Sequence, residues 1–173
     1  KFKKYRMQII GITGSKRDLG KAIFDELTED YHIESYNYPD FDLNDIETRK
    51  WIIEDIQNLD ITIFINNSYA DGGQTLLLYD LINLINSGYE LQVITLNSIN
   101  STREFNDIQR LDQLKYTIDK GNIDKIHEYY SEYKDKGILK NIHLPMCDTS
   151  YNIHKIEEKL SKSEVVKIIR KYI

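Results

Sequence analysis

Three glycines stand near the start of the chain, in the run Gly11-Ile12-Thr13-Gly14-Ser15-Lys16-Arg17-Asp18-Leu19-Gly20. Their spacing is that of a loop that holds phosphate. A pyrophosphate binds bare backbone N–H groups at a helix N-terminus, where the helix dipole also favours negative charge, and side chains in the turn would block its approach. Lys16 and Arg17 lie in the same turn and have the charge to pair with a further phosphate through charge-assisted hydrogen bonds. Downstream, a lysine follows a tyrosine by four residues three times: Tyr116/Lys120, Tyr130/Lys134 and Tyr151/Lys155. That spacing sets a phenol and an amine on one helical face, a pairing suited to proton transfer. Among 13 tyrosines some such pairs arise by chance, so the spacing alone selects none of them. His32, His127, His143 and His154 are scattered, and no Cys/His cluster has metal-ligand spacing, so no metal is expected. His143 reads as a packed strand residue. Cys147, the single cysteine, has no evident base beside it and reads as structural.

The elements that must position these groups alternate along the chain. Met7 to Ile12 reads as a buried strand entering the glycine turn, and Leu19, Ile23 and Leu27 mark one face of a following helix. His32 to Tyr36 is a second strand, and Phe41 to Leu43 a very short third. Asn44 or Asp45 caps a helix to about Gln57, with Trp51, Ile52 and Ile56 on its buried face. The β-branched run Ile61 to Asn66, then Leu91 to Leu96, then Ile138 to Leu144 supply further strands. Between them lie a helix from Thr75 to Asn86 and a long amphipathic segment from Ile108 to Lys134. Ser161 or Ser163 caps a last helix containing Val165, Val166 and Ile169. Such alternation predicts an α/β fold: a Rossmann-type, doubly wound, mainly parallel sheet with helices on both faces, over a single domain at 7–173. Residues 1–6 carry four positive charges ahead of Met7 and read as a basic extension without an assigned role.

With the loop placed after the first strand, Thr13 to Gly20 resembles the Thr-Gly-x-x-x-Gly-x-Gly turn of the short-chain dehydrogenase/reductase family. Asp18 stands where the family has its middle glycine. Asn66-Asn67-Ser68-Tyr69 resembles the Asn-Asn-Ala-Gly motif, Thr95-Leu96-Asn97-Ser98 the strand that ends in the catalytic serine, and Pro145 to Thr149 the Pro-Gly segment, with Met146 in place of the glycine. The order of these segments, rather than any one of them, makes the chain similar to a truncated and divergent member. The resemblance implies cofactor contacts from Gly14, Ser15, Lys16, Arg17, Leu19, Gly20, Asn66, Asn67 and Ser68, with Asp42 and Leu43 at the adenine and Thr149 at the nicotinamide amide. It also implies Ser98 (ahead of Ser101), Tyr116 and Lys120 as the catalytic set. In the family the tyrosine exchanges a proton at the substrate oxygen and the serine binds that oxygen. The lysine lowers the tyrosine's pKa and holds the nicotinamide ribose. The family's asparagine on the helix before the serine strand has no assigned counterpart here.

The second strand ends Ser35-Tyr36-Asn37-Tyr38, without the acid that NAD enzymes place there. With Arg17 in a position where phosphate-preferring members often carry arginine, the expected cofactor is NADP, or else NAD. The expected activity is hydride transfer between NADP(H) and a carbonyl or alcohol, on a small-molecule substrate. The rival reading is a catalytically degenerate dinucleotide-binding or scaffold protein of the same fold, favoured by Asp18 and by the long interval from Ser98 to Tyr116. A net charge of −5 argues against a nucleic-acid partner. No apolar run approaches the length of a membrane span. One cysteine excludes an intrachain disulfide and suits a reducing cytoplasm. Pairing of the long helix into a homo-oligomer is an expectation from the resemblance.

Overall fold

The computed structural model describes residues 7–102, 110–145, 147 and 159–173, apart from the side chains at 100 and 102. Five strands, β1 (Ile9–Thr13), β2 (His32–Tyr36), β3 (Ile63–Asn66), β4 (Gln92–Ser98) and β5 (Leu139–Leu144), form one parallel sheet in the order β2-β1-β3-β4-β5. The helices are α1 (Asp18–Leu27), α2 (Ile46–Asn58), α3 (Gly73–Asn86), α4 (Leu111–Tyr129), α5 (Ser131–Asp135) and α6 (Lys162–Arg170).

Strand alternation divides the core into two layers. Ile10, Ile12, Ile63, Ile65 and Ile94 face α1 and α6, where Ile23, Leu27, Val165, Val166 and Ile169 meet them. Phe64 and Val93 face α2, α3 and α4, and pack with Ile52, Ile56, Leu77, Leu81, Ile123 and Ile126. Gly11 belongs to this packing rather than to the phosphate loop: a Cβ there would lie 2.5 Å from the Phe64 ring. Asp45 caps α2 through the N–H of Glu47, and Ser161 caps α6 in a reciprocal box with Glu164.

Three expectations are corrected. Phe41 to Leu43 forms no strand: the Asp42 carboxylate accepts the N–H of Asn44 at 3.0 Å and closes a turn, while Leu43 enters the core and its carbonyl takes Arg49 Nη1 at 2.8 Å. Trp51 is 68% exposed, because helical rotation turns Arg49, Ile52 and Ile56 inward instead. Arg49 is accommodated there by Asp80 of α3, with Nε 2.7 Å from its carboxylate. The long segment breaks at Tyr130, whose φ/ψ of −98°/38° separates α4 from α5.

The chain winds outward from β1 to β2, then returns past β1 to β3. The winding reverses between β1 and β3, and the crevice at their carboxyl ends is where open α/β sheets bind ligands. Thr13 and Gly14 stand on one side of it, Asn66 to Ser68 on the other.

His127 of α4 is buried, and its pKa is lowered from 6.5 to about 4, chiefly by burial and further by His143 and Lys134, against the opposing pull of Asp124. Neither ring nitrogen has a hydrogen-bond partner among the described residues. Between pH 6.5 and 4 the unfolded chain binds a proton that the folded chain refuses, so folding stability falls as pH drops through that window. Denaturant titrations at pH 7 and pH 5 should show His127→Leu sparing about 2 kcal/mol of the wild-type acid loss.

Candidate functional site

The crevice is built from backbone ends and short polar side chains. Thr13 Oγ1 accepts the N–H groups of both Asn67 and Ser68 at 3.0 Å. Asn67 Nδ2 donates back to the carbonyls of Thr13 (3.0 Å) and Gly14 (3.2 Å). This clamp draws the two chain segments so close that side chains are excluded. A Cβ on Gly20 would lie 1.9 Å from the Gly14 carbonyl, and one on Gly14, at φ +72°, would lie 2.8 Å from Ser68 Oγ.

Asp18 adopts φ +48°, the backbone conformation a glycine takes easily, and so preserves the turn in spite of its side chain. Its carboxylate is largely covered and lies 3.7 Å from Lys162 Nζ on α6, which offsets the negative charge at the mouth of the loop. The side chain of Arg17, the N-cap of α1, makes no capping hydrogen bond, and Lys16 and Arg17 are exposed there. Ser15 is buried and committed to Asn37: its N–H donates to Asn37 Oδ1 at 2.6 Å and its hydroxyl takes Asn37 Nδ2 at 3.1 Å. Lys16 Nζ lies 3.8 Å from Asp40 in an exposed pair. Leu19 packs half-buried against the α1–α6 layer. Asp42 and Leu43 occupy the turn and core positions given above, and Thr149 lies outside the described residues.

At the next strand ends the structure brings Ser98, Tyr116 and Lys120 together. β4 delivers Ser98, and α4 carries the other two one turn apart. Tyr116 is hydrogen-bonded with Ser98, which opposes but does not outweigh the upward push of burial on its phenol. The family expectation that lysine lowers this pKa is not met in this state. The reason is where the ammonium points. Lys120 is 4% exposed; its Nζ donates to Gln74 Oε1 at 2.6 Å and to the Leu96 carbonyl at 3.2 Å, and lies 5.6 Å from the Tyr116 ring centroid, over the ring. Burial lowers its own pKa to about 8, with Asp119 and Asp124 resisting.

Gln74 was not legible as a site residue. It is 1% exposed and bridges three elements: Nε2 donates to the carbonyls of Asn66 (2.7 Å) and Leu96 (2.9 Å), and Oε1 receives Lys120. Asn66 Nδ2 returns a bond to the Gln74 carbonyl at 2.9 Å. It sits on α3, the helix before the serine strand, where the family resemblance calls for an asparagine. A lone glutamine after Gly72-Gly73 carries no sequence signal for that role.

A second polar group secures Ser98. Asp124 Oδ1 receives Asn97 Nδ2 (2.8 Å) and Asn141 Nδ2 (2.7 Å) and lies 2.6 Å from His143 Nε2. Asn97 Oδ1 in turn accepts the N–H of Ser98 at 2.9 Å. Burial pushes the Asp124 carboxyl up, but hydrogen bonds with Ser101, Asn141 and His143 hold it below the usual carboxylate range. His143 is exposed, not packed, because it lies at the outer strand end where Asp124 reaches it. Cys147 is buried, donates to the Pro145 carbonyl, and has its thiol pushed up by burial. Of the other two pairs, Tyr130 stands at the break between α4 and α5 with its ring stacked on Tyr133, and Tyr151/Lys155 lies outside the described residues.

No protein-family model and no curated protein sequence matches the chain. Solved structures do. A short-chain dehydrogenase from Burkholderia cenocepacia in complex with NADP is 15% identical, with a TM-score of 0.71 over 94% of this chain and 82% of that one. A 3-alpha-hydroxysteroid dehydrogenase from a Pseudomonas species, complexed with NADH, is 13% identical, with a TM-score of 0.72 over 94% and 88%. An NADH-dependent reductase of alginate metabolism covers 99% of this chain and 91% of its own, at 14% identity and a TM-score of 0.68. The fold is that of the short-chain dehydrogenases. Within that fold the described residues hold no helix long and apolar enough to cross a membrane, and no group of three or more His, Cys, Asp or Glu arranged to hold a metal.

Gln74→Leu deletes the nearest acceptor of a buried ammonium. It should cost about 2–3 kcal/mol in denaturant unfolding and shift the Lys120 titration, followed by NMR, below its wild-type midpoint.

Proposed function

We propose that the protein is an NADP(H)-dependent oxidoreductase that acts on a carbonyl or alcohol group of a small molecule. The observation that carries this reading is the meeting of Ser98, Tyr116 and Lys120 beside the crevice where the winding reverses. β4 and α4, distant in the sequence, converge there and bring a serine, a phenol and an amine into one cluster, the groups that carbonyl reduction uses.

The pyrophosphate end suits the ligand. α1 presents its N-terminus without a side-chain cap, the loop glycines keep it bare, and Lys162 offsets Asp18. Asn37, a neutral amide, stands just past the end of β2, where a carboxylate would repel a 2′-phosphate. Lys16 and Arg17 are exposed beside the loop and supply positive charge for that phosphate.

When bound, the nicotinamide supplies or accepts the hydride. The chain's own residues handle the oxygen. Burial keeps the Tyr116 phenol protonated, so it is poised to donate a proton to a carbonyl oxygen, the direction of reduction. Ser98, held by Asn97, binds the same oxygen. Lys120 holds the ribose and contributes its charge once a ligand draws the ammonium from Gln74. Its acidity sets a pH limit: as pH rises through about 8 the ammonium loses its proton, and NADPH binding weakens.

Calorimetric titration with NADPH and NADH tests the reading directly. NADPH should bind at least about tenfold more tightly than NADH. With a panel of aldehydes and ketones, Tyr116→Phe should lower kcat about 100-fold or more while leaving NADPH affinity near wild type. Binding of neither nucleotide at millimolar concentration would sink the proposal.

A further inference from the structure

Tyr69 closes over Lys120. It follows β3, in the place where the family resemblance has a glycine, and it is not among the three residues assigned to catalysis. Its ring centroid lies 5.7 Å from Lys120 Nζ, and it meets the Tyr116 ring edge-on at 4.8 Å and 64°. Its hydroxyl donates to Asp119 Oδ2 at 2.9 Å, one residue before Lys120 on α4. The ring is therefore pinned at both ends, by an ammonium under it and a carboxylate at its tip. Burial and the Asp119 carboxylate push the Tyr69 hydroxyl well up, so it remains a donor. The ammonium is thus shared among Gln74, the Leu96 carbonyl and two rings, and is 4% exposed. In this state two of its three donors are spent on Gln74 and Leu96, and the two rings cover it.

The backbone behind Tyr69 is the strained part of the crevice. Ala70 (φ +44°), Asp71 (φ +46°) and Gly72 (φ +92°) adopt positive φ in succession, and two of them carry side chains. The turn is held by the N–H of buried Gln74 on the Tyr69 carbonyl at 3.3 Å, by Asn44 Nδ2 on the Ala70 carbonyl at 2.9 Å, and by an exposed pair of Lys115 with Asp71 at 3.6 Å. Surface ion pairs of this kind are weak. The Tyr69 ring thus leads into a turn whose positive-φ residues make its conformation costly for side-chain-bearing Ala70 and Asp71.

We propose that Tyr69 is a gate on Lys120, which must swing out and release Asp119 before the ammonium can take the ribose hydroxyls of a nicotinamide dinucleotide. The gate rests on the reading of Lys120 as the ribose-holding group. It lowers apparent affinity by the fraction of molecules that are closed.

Reductive methylation with formaldehyde and cyanoborohydride, read at Lys120 by peptide mass spectrometry without any nucleotide, reports the cover itself. Tyr69→Phe keeps the ring but loses the bond to Asp119, and should raise the Lys120 methylation rate about tenfold, the size of one charge-assisted hydrogen bond. Tyr69→Ala should raise it further; if that variant fails to fold by circular dichroism, Tyr69→Phe carries the test. In parallel titrations, Kd for NADPH should fall about tenfold in Tyr69→Phe. Equal Lys120 methylation in wild type and Tyr69→Phe overturns the gate. Faster methylation with a tighter NADPH complex supports it. Faster methylation with no NADPH binding in any variant leaves Tyr69 as the cover of Lys120, and overturns instead the dinucleotide reading on which the gate's ligand rests.

Discussion

A buried ammonium needs acceptors, and the Lys120 charge organises the centre of this molecule. Taking a lysine to 4% exposure is unfavourable unless its donors are used. Gln74 Oε1 and the Leu96 carbonyl accept from it, and the faces of Tyr69 and Tyr116 cover what remains. Because Gln74 also bonds the carbonyls of Asn66 and Leu96, satisfying one charge ties α3, α4, β3 and β4 together. Tyr116 follows from that arrangement, since it is carried one turn before Lys120 on the same helix face. Ser98 is brought to it by β4, where Asn97 holds its N–H and in turn bonds Asp124 and the Lys120 carbonyl of the same α4.

The glycine loop after β1 shows a second constraint, of space rather than charge. Asn67 clamps β1 to the segment after β3, and the approach is close enough that Gly14 and Gly20 admit no Cβ. These two glycines are therefore required by the chain's own packing, whatever binds there. Asp18 marks how far the turn tolerates change. It takes the glycine-like conformation, turns its carboxylate toward α6, and meets Lys162. A residue that looks hostile to phosphate in one dimension is compensated by one more than a hundred residues away.

The two ends of the crevice differ in readiness. At the glycine loop the N-cap side chain of α1 makes no capping hydrogen bond, and Lys16 and Arg17 are exposed beside it. Around Ser98, Tyr116 and Lys120 the space is filled by the chain's own Tyr69, and the lysine is engaged by Gln74. This asymmetry accounts for a cluster of Ser98, Tyr116 and Lys120 in which burial, rather than the ammonium, governs the phenol and raises its pKa.

Much of the architecture was legible because it rests on local patterns. Alternating apolar strands and helices determined the parallel sheet with helices on both faces, and the β1–loop–α1 unit was readable from glycine spacing. Two helix starts were legible as a choice of caps, Asn44 or Asp45 and Ser161 or Ser163, which the structure resolves to Asp45 and Ser161. Local pattern misled where a distant partner competed. Trp51 looked like core until Arg49, neutralised by Asp80 of another helix, took the inward position. Phe41 to Leu43 looked like a strand until Asp42 closed a turn. The order of segments singled out Ser98, Tyr116 and Lys120 in one dimension. Only the tertiary structure decided what surrounds them: Gln74, Tyr69 and Asp124 carry no local signature, because a hydrogen-bond acceptor, a ring face or a carboxylate acquires its role from what the fold places within about 3–6 Å of it.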